Sequence, residues 1–135
     1  MRPGVGTKYS ASAPDLKIDH VVAEVWDVKQ ERWHLVDPEQ GPELITRNRL
    51  DFDPHDIPRN CFLVGGAAWQ LGRAGMSDPE LYCGGPDDFF KGMWPIRARM
   101  IGDFLALNRV EMLLWDSWGW MQYEFEPDAA ALALL

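Results

Sequence analysis

The stretch DHVVAEVWDVKQERWHLVDP, residues 19–38, reads as two β-strands joined by a tight turn. Successive side chains of a strand point to opposite faces of its sheet. One face of the first strand therefore carries Ile18, His20, Val22, Glu24 and Trp26. The other face carries Val21, Ala23 and Val25. Because both faces are largely apolar, we expect this strand to lie in the interior of a sheet.

The register of the hairpin determines which side chains can meet. A turn within Val28–Glu31 sets Trp26 opposite Trp33. The same register makes His20 and Asp37 diagonal neighbours on one face, at a backbone separation of roughly 7–8 Å that longer side chains bridge. A shift of one residue would move them to opposite faces, so the predicted contact depends on this register.

A contact between His20 and Asp37 has a definite chemical use. An aspartate that holds one imidazole nitrogen fixes the tautomer and leaves the other nitrogen free to act as a base. Histidines in strands are also common as surface residues or as hydrogen-bonded core residues, and an aspartate before a proline often begins a turn. The pattern by itself leaves both interpretations open.

Length and composition indicate the class of protein. The chain has 135 residues, 47% of them hydrophobic, which suits a single folded domain over residues 1–135. Its formal net charge of -8 disfavours binding to nucleic acid or to an anionic membrane, since both need clustered Lys and Arg. We find no apolar run long enough to span a bilayer and no apolar core of a secretory signal. A cytoplasmic protein is therefore expected.

The rest of the chain predicts helices beside this sheet. A short strand is expected around Val5–Tyr9, and the proline-rich residues 38–58 are expected to form an irregular connection. Apolar residues at helical spacing predict two main helices, at about residues 59–74 and 95–114. The predicted fold class is α+β, with a small antiparallel sheet around the hairpin of about residues 18–37.

The residues of the hairpin resemble the core of the transglutaminase-like superfamily. Its members carry a His-x-x-x-Glu-Val-Trp/Tyr strand and then a Trp-x-x-Val-Asp-Pro strand, which His20–Trp26 and Trp33–Pro38 match. Downstream blocks at residues 52–75 and 103–120 are similar to a bacterial subgroup of this superfamily. The resemblance covers most of the chain and implies a papain-like α+β scaffold with a Cys-His-Asp triad.

In such a triad, His20 would be the general base and Asp37 the carboxylate that orients it. The superfamily places its nucleophilic cysteine ahead of this histidine, at the start of a buried helix. None of the residues before His20 is a cysteine, so the chain resembles a truncated transglutaminase-like core without its front half. The resemblance then implies a domain that is inactive alone and acts as a binding or interaction module. An open sheet edge and an uncovered face would favour a homodimer or a larger homo-oligomer.

Cys61 offers an alternative nucleophile. It follows Pro58 near the predicted start of a helix, where a thiol pKa is lowered, and some papain-like relatives are permuted, with His ahead of Cys. A triad of Cys61, His20 and Asp37, or one using a cysteine of another chain, would make an acyl-transferring or amide-hydrolysing enzyme. Buried cysteines with apolar neighbours are, however, often plain packing residues. The histidines lack short metal-ligand spacing, so neither a metal site nor a cofactor is expected.

Overall fold

The structure is a computed structural model that describes residues 1–10, 13–83 and 91–111. Three strands come first in this described part of the chain, and helices and short strands follow. They are β1 (Arg2–Thr7), β2 (Lys17–Asp27), β3 (Arg32–Val36), α1 (Pro42–Asn48), β4 (Phe62–Val64), α2 (Gly65–Arg73), β5 (Tyr82–Cys83) and α3 (Met93–Leu107). The predicted α+β fold class is confirmed.

Strand β2 is the central strand of a small sheet. Antiparallel pairing gives the strand order β3-β2-β1-β4, and the short β5 adds to β2 in parallel. The first half of β2 pairs with β1, whereas its second half, from Ala23 to Asp27, pairs with β3. An interior position explains the apolar character of both faces of β2, because each face packs on other elements.

The β2–β3 hairpin has the register that the sequence predicts. Trp26 lies opposite Trp33 across the two strands. The Asp27 Oδ1 atom accepts hydrogen bonds from the backbone N–H groups of Lys29 and Gln30, at 2.7 and 3.0 Å. An aspartate that bonds to the backbone two residues further on favours a turn over a continued strand. The turn and the register are therefore set by residues close together in the chain.

Two clusters of buried side chains cover the two faces of the sheet. Helices α2 and α3 pack on β1, and their cluster contains Val5, Ala68, Trp69, Tyr82 and Ile96. A second cluster contains Val22, Leu35, Ile57, Cys61 and Phe62. Because Val22 and His20 are two residues apart in β2, they share a face of the sheet. The second cluster therefore supports the strand face that carries His20.

Buried ion pairs attach α3 to the rest of the fold. The Arg99 guanidinium binds the Asp19 carboxylate through two nitrogen atoms, and both side chains are largely buried. Asp103 accepts hydrogen bonds from Arg2 Nε at 2.6 Å and from the Gly66 backbone N–H at 3.1 Å. Because Gly66 is in the first turn of α2, Asp103 satisfies an N–H group that has no partner within the helix. These contacts fix α2 and α3 against β1 and β2.

The helix predicted at residues 59–74 is shorter in the structure. Phe62–Val64 forms β4, and α2 begins only at Gly65. A short apolar run is compatible with a strand or with a helix, and here pairing with β1 decides for the strand. A glycine is needed at the start of α2, because a Cβ on Gly65 would lie 2.1 Å from the Arg99 carbonyl oxygen. The predicted boundary is therefore wrong, although the helix itself is present.

The helix predicted at residues 95–114 corresponds to α3. It ends at Leu107, and Arg109 then adopts a left-handed backbone with φ 57. A residue in this conformation ends a helix. Residues 112–114 of the prediction lie outside the described residues. The connection predicted to be irregular contains the short helix α1, which begins at Pro42, a residue suited to a first helical turn.

Candidate functional site

His20 and Asp37 meet in the structure, as the hairpin register predicts. The His20 Nε2 atom lies 2.6 Å from Asp37 Oδ2. The Asp37 side chain is fully buried, whereas 17% of the His20 side chain is exposed. We call this pair the His20–Asp37 dyad. It combines a fixed buried carboxylate with an imidazole that solvent can reach from one side.

Backbone hydrogen bonds hold Asp37 in place. Its N–H donates to the Pro54 carbonyl oxygen at 2.8 Å, and its Oδ1 accepts from the Glu39 N–H at 3.0 Å. Burial alone would raise the pKa of Asp37. The hydrogen bond to His20 and the His20 charge, together with smaller contributions from the Glu39 N–H and the Tyr9 hydroxyl, outweigh burial, so this pKa lies below its ordinary value of 3.8. Asp37 is therefore an ionised acceptor at neutral pH, and the proton between the two groups belongs to His20 Nε2.

Aromatic rings enclose the imidazole of His20. The Tyr9 ring lies 5.3 Å from it between centroids, and the Phe62 ring approaches edge-on at 6.5 Å. Phe52 packs on Tyr9 at 5.5 Å. Burial, followed by the charge of Asp37, raises the pKa of the Tyr9 hydroxyl far above its usual range. These rings lower the local polarity around the dyad, which strengthens its hydrogen bond.

A turn directly after β1 brings Tyr9 to the dyad. Lys8 has a left-handed backbone with φ 64, which reverses the chain after Thr7. The Tyr9 ring folds back over Gly6, where a Cβ would lie 2.4 Å from a ring carbon. The strand predicted around Val5–Tyr9 is present as β1, which begins earlier, at Arg2, and ends at Thr7. The predicted end is wrong because Lys8 adopts a left-handed backbone, which turns Tyr9 out of the strand.

The second imidazole nitrogen of His20 faces a carboxylate at the surface. Nδ1 lies 3.8 Å from Glu39 Oε2, which is too far for a hydrogen bond, and the Glu39 side chain is 72% exposed. Among the described residues, Nδ1 has no hydrogen-bond partner. His20, Asp37 and Glu39 nevertheless offer potential metal-ligand atoms within 4.8 Å of one another. Sequence reasoning missed Glu39, although its position two residues after Asp37 is a usable signal for a shared turn.

Cys61 lies in the core rather than at the start of a helix. It directly precedes β4, four residues before α2 begins at Gly65. Its thiol is buried in the second core cluster and lies 3.9 Å from Asn60 Oδ1. Burial raises the pKa of the Cys61 thiol, the opposite of the lowering expected at a helix start. No hydrogen bond joins it to His20 within the described part of the chain, and its role as a nucleophile stays a prediction.

The other two histidines have different surroundings. His34 is buried, with Nδ1 2.9 Å from Asp56 Oδ1 and Nε2 3.2 Å from Asp27 Oδ2. It points to the strand face opposite Asp37, as the register predicts. His55 is exposed and contacts Asp53 Oδ1 at 3.2 Å. His20 differs from both. Its Nε2 contacts a buried carboxylate, and its Nδ1 has no hydrogen bond to a described residue.

Comparisons with protein-family models, with curated proteins and with solved structures found no match to this chain. The transglutaminase-like resemblance of the hairpin residues stays a prediction from the sequence. None of the described helices combines the length and the apolar character that crossing a bilayer requires.

Proposed function

We propose that this chain is a transglutaminase-like module that keeps the His and Asp of a thiol catalytic centre, is inactive alone and acts in binding or interaction. The observation that most directly supports this proposal is the 2.6 Å contact between His20 Nε2 and Asp37 Oδ2. In a Cys-His-Asp triad, the aspartate holds one imidazole nitrogen while the other accepts the proton of the thiol. In the dyad, Asp37 holds His20 Nε2, and Nδ1 is the nitrogen that would accept a thiol proton.

The burial of Cys61 supports the proposal that the chain alone does not catalyse acyl transfer. Acyl transfer through a thiol requires a thiolate, and burial raises the pKa of Cys61, which lowers the thiolate fraction at neutral pH. We therefore propose that no acyl-enzyme forms on Cys61. A cysteine without a disulfide bond at position 61 is also compatible with the cytoplasmic location that we propose for this protein.

Alkylation of Cys61 by iodoacetamide at pH 7 tests this proposal. Peptide mapping follows the rate at Cys61 in the wild type, in His20→Ala and in the matched control His55→Ala, which removes an exposed histidine. We expect slow labelling with the same rate in all three proteins, since the thiol is buried and no hydrogen bond joins it to His20 in the described part of the chain. Labelling as fast as in the urea-unfolded protein, slowed about tenfold by His20→Ala alone, would contradict the proposal and identify Cys61 as an activated nucleophile.

A thiol enzyme whose cysteine comes from another polypeptide is the second candidate. The observation that favours it is His20 Nδ1, which has no hydrogen bond to any described residue. In a natural complex of this kind, iodoacetamide would label a cysteine outside residues 1–135 quickly, and His20→Ala would slow that labelling. If labelling of the partner cysteine does not depend on His20, this candidate is eliminated while the binding module remains.

Exposed apolar side chains at the tip of the hairpin support an interaction role. Trp26 and Trp33 pack against each other across the strands, with centroids 5.5 Å apart, yet they remain 45% and 54% exposed. Val25 and Val28 are exposed at the same tip. Within the described chain, β3 pairs only with β2, so its outer edge is open. Exposed apolar groups beside an open edge favour association, and we propose a homodimer formed through this tip.

Sedimentation velocity tests the homodimer. We expect a concentration-dependent dimer for the wild type and a monomer for Trp33→Ser. Met76→Ser is the matched control, because Met76 is also exposed but lies after α2, far along the chain from the hairpin. A wild-type monomer at concentrations of about 100 μM, or a dimer that Trp33→Ser leaves intact, would contradict association through the tip.

A further inference from the structure

We propose that His20 Nδ1 and the Glu39 carboxylate bind a divalent transition-metal ion such as Zn²⁺, with Asp37 as the carboxylate that orients the histidine. This inference does not depend on the proposed function, because it needs no thiol and no acyl transfer. It concerns the solvent side of the dyad, where a ring nitrogen and a carboxylate face each other without a hydrogen bond.

The distance between the two proposed ligand atoms fits one bridging ion. His20 Nδ1 and Glu39 Oε2 are 3.8 Å apart. With Zn²⁺ bonds of about 2.1 Å to each atom, this separation corresponds to an angle of about 130° at the metal, and an ideal tetrahedral angle needs about 3.4 Å. Glu39 is 72% exposed, so its side chain can move by the remaining ~0.4 Å with little resistance. Water would supply the other ligands.

Asp37 has the position of an outer-shell carboxylate at a metal site. Histidines that bind metals usually donate their other ring N–H to a carboxylate, which fixes the tautomer and the ring orientation. Asp37 Oδ2 holds His20 Nε2 at 2.6 Å, and Asp37 is itself anchored by the Glu39 N–H. The Tyr9 and Phe62 rings restrict the imidazole further. One ligand is thus preorganised, and only Glu39 adjusts.

The remaining histidines are poorer candidates for the same ion. Both ring nitrogens of His34 already lie within 3.2 Å of carboxylates, so neither is free to bind metal without breaking a contact. His55 is exposed and has Asp53 on one nitrogen. Within the described residues, His20, Asp37 and Glu39 are the cluster of metal-ligating side chains whose ligand atoms converge. The net charge of -8 attracts cations to the protein in general. A test of the site must therefore show where on the protein the ion binds.

Titration of metal-free protein with ZnCl₂ tests the site. Calorimetry gives the affinity, and two-bond ¹H–¹⁵N spectra of the histidine rings give the location. We expect one equivalent of Zn²⁺ to shift His20 Nδ1 and to leave His55 unchanged. Glu39→Gln should weaken the affinity about tenfold or more, whereas Glu43→Gln, the same change at an exposed glutamate on α1, should leave it within about twofold.

Three results would overturn the metal site. They are Zn²⁺ binding that shifts His55 rather than His20, an affinity that Glu39→Gln does not change, and the absence of binding at millimolar Zn²⁺. Both glutamates are exposed, so neither variant is expected to disturb the fold. Failure of this test is distinguishable from failure of the proposed function, which is read from Cys61 alkylation without metal.

Discussion

Replacement of Asp37 by asparagine tests whether Asp37 determines which ring nitrogen of His20 carries the proton. Asp37 accepts hydrogen bonds from His20 Nε2 at 2.6 Å and from the Glu39 N–H at 3.0 Å, and the nearby Tyr9 hydroxyl also lowers its pKa. An asparagine offers one acceptor oxygen and one NH₂ donor group. The backbone N–H of Glu39 can only donate, so the oxygen is expected there and the NH₂ group faces His20. His20 Nε2 must then accept, which moves the ring proton to Nδ1.

The cost in stability follows from the loss of charge. Asp37→Asn keeps two hydrogen bonds but makes both neutral. Hydrogen bonds to charged groups contribute about 1.5–3 kcal/mol and neutral ones about 0.5–1.5 kcal/mol, so each bond loses about 1 kcal/mol. We expect the free energy of unfolding at pH 7 to fall by about 2 kcal/mol. This is an upper value, because the variant also avoids burying a charge.

The pH dependence of this difference has a definite sign. The pKa of folded Asp37 lies below the ordinary value of 3.8, since the His20 hydrogen bond and charge outweigh burial. The ionised carboxylate therefore stabilises the fold above pH 3.8, and this contribution is lost as the pH falls through the lowered folded value. The difference in stability between wild type and Asp37→Asn should narrow below pH 3.8.

Urea unfolding at pH 7 and pH 3 measures the stability, and ¹H–¹⁵N spectra of the histidine rings identify the tautomer. Asp53→Asn is the matched control, because Asp53 also accepts from an imidazole nitrogen and from a backbone N–H, both of His55, but is exposed. We expect little change in that control. The reasoning is refuted if His20 keeps its proton on Nε2 in Asp37→Asn, or if Asp37→Asn costs no more than Asp53→Asn.

Three further substitutions test the fold around the site. Gly65→Ala puts a Cβ 2.1 Å from the Arg99 carbonyl oxygen, so α2 and α3 must separate, and we expect urea unfolding to show a loss of about 1–3 kcal/mol. Asp19→Ala removes a carboxylate that the buried Arg99 guanidinium binds, and should lower the free energy of unfolding by about 1.5–3 kcal/mol, the usual contribution of hydrogen bonds to a charged group. Hydrogen bonding to Arg32 is the largest factor that lowers the pKa of Asp56 to about 2, so Arg32→Gln should raise this pKa towards 3.8 in a carboxyl NMR titration.

Each of these substitutions has a control or a contradicting result. Gly41→Ala introduces a Cβ with nothing within 4 Å and should shift the urea midpoint less than Gly65→Ala does. Asp51→Ala removes an exposed ion pair with Lys8 and should change the midpoint far less than removal of a buried one. An Asp56 pKa that stays near 2 in Arg32→Gln would show that the guanidinium is not its cause.

The hairpin and the dyad contact could be predicted because their determinants are local. Alternating side chains define the faces of β2, and the Asp27 carboxylate closes the turn through the backbone of residues 29 and 30. Once the turn is set, the register of the two strands fixes which side chains lie on the same face. The contact between His20 and Asp37 follows from that register, while its catalytic role stays a prediction.

The surroundings of the dyad could not be predicted in the same way. Tyr9 reaches His20 through a turn at Lys8, a residue with no preference for a left-handed backbone. The strand at Phe62–Val64 exists because β1 is available to pair with it, not because its own residues exclude a helix. The shift of the helix start to Gly65 then removes Cys61 from the position that would have lowered its pKa.

The sequence by itself determined the α+β class, the register of the β2–β3 hairpin and the common face of His20 and Asp37. All three depend on side-chain alternation and on a turn of a few residues. These are interactions between residues that are close together in the sequence. Only the tertiary structure decided that Tyr9 and Phe62 enclose the imidazole, and that Cys61 is a core residue with a raised pKa. These features depend on contacts between distant segments, which the pattern of any one segment does not encode.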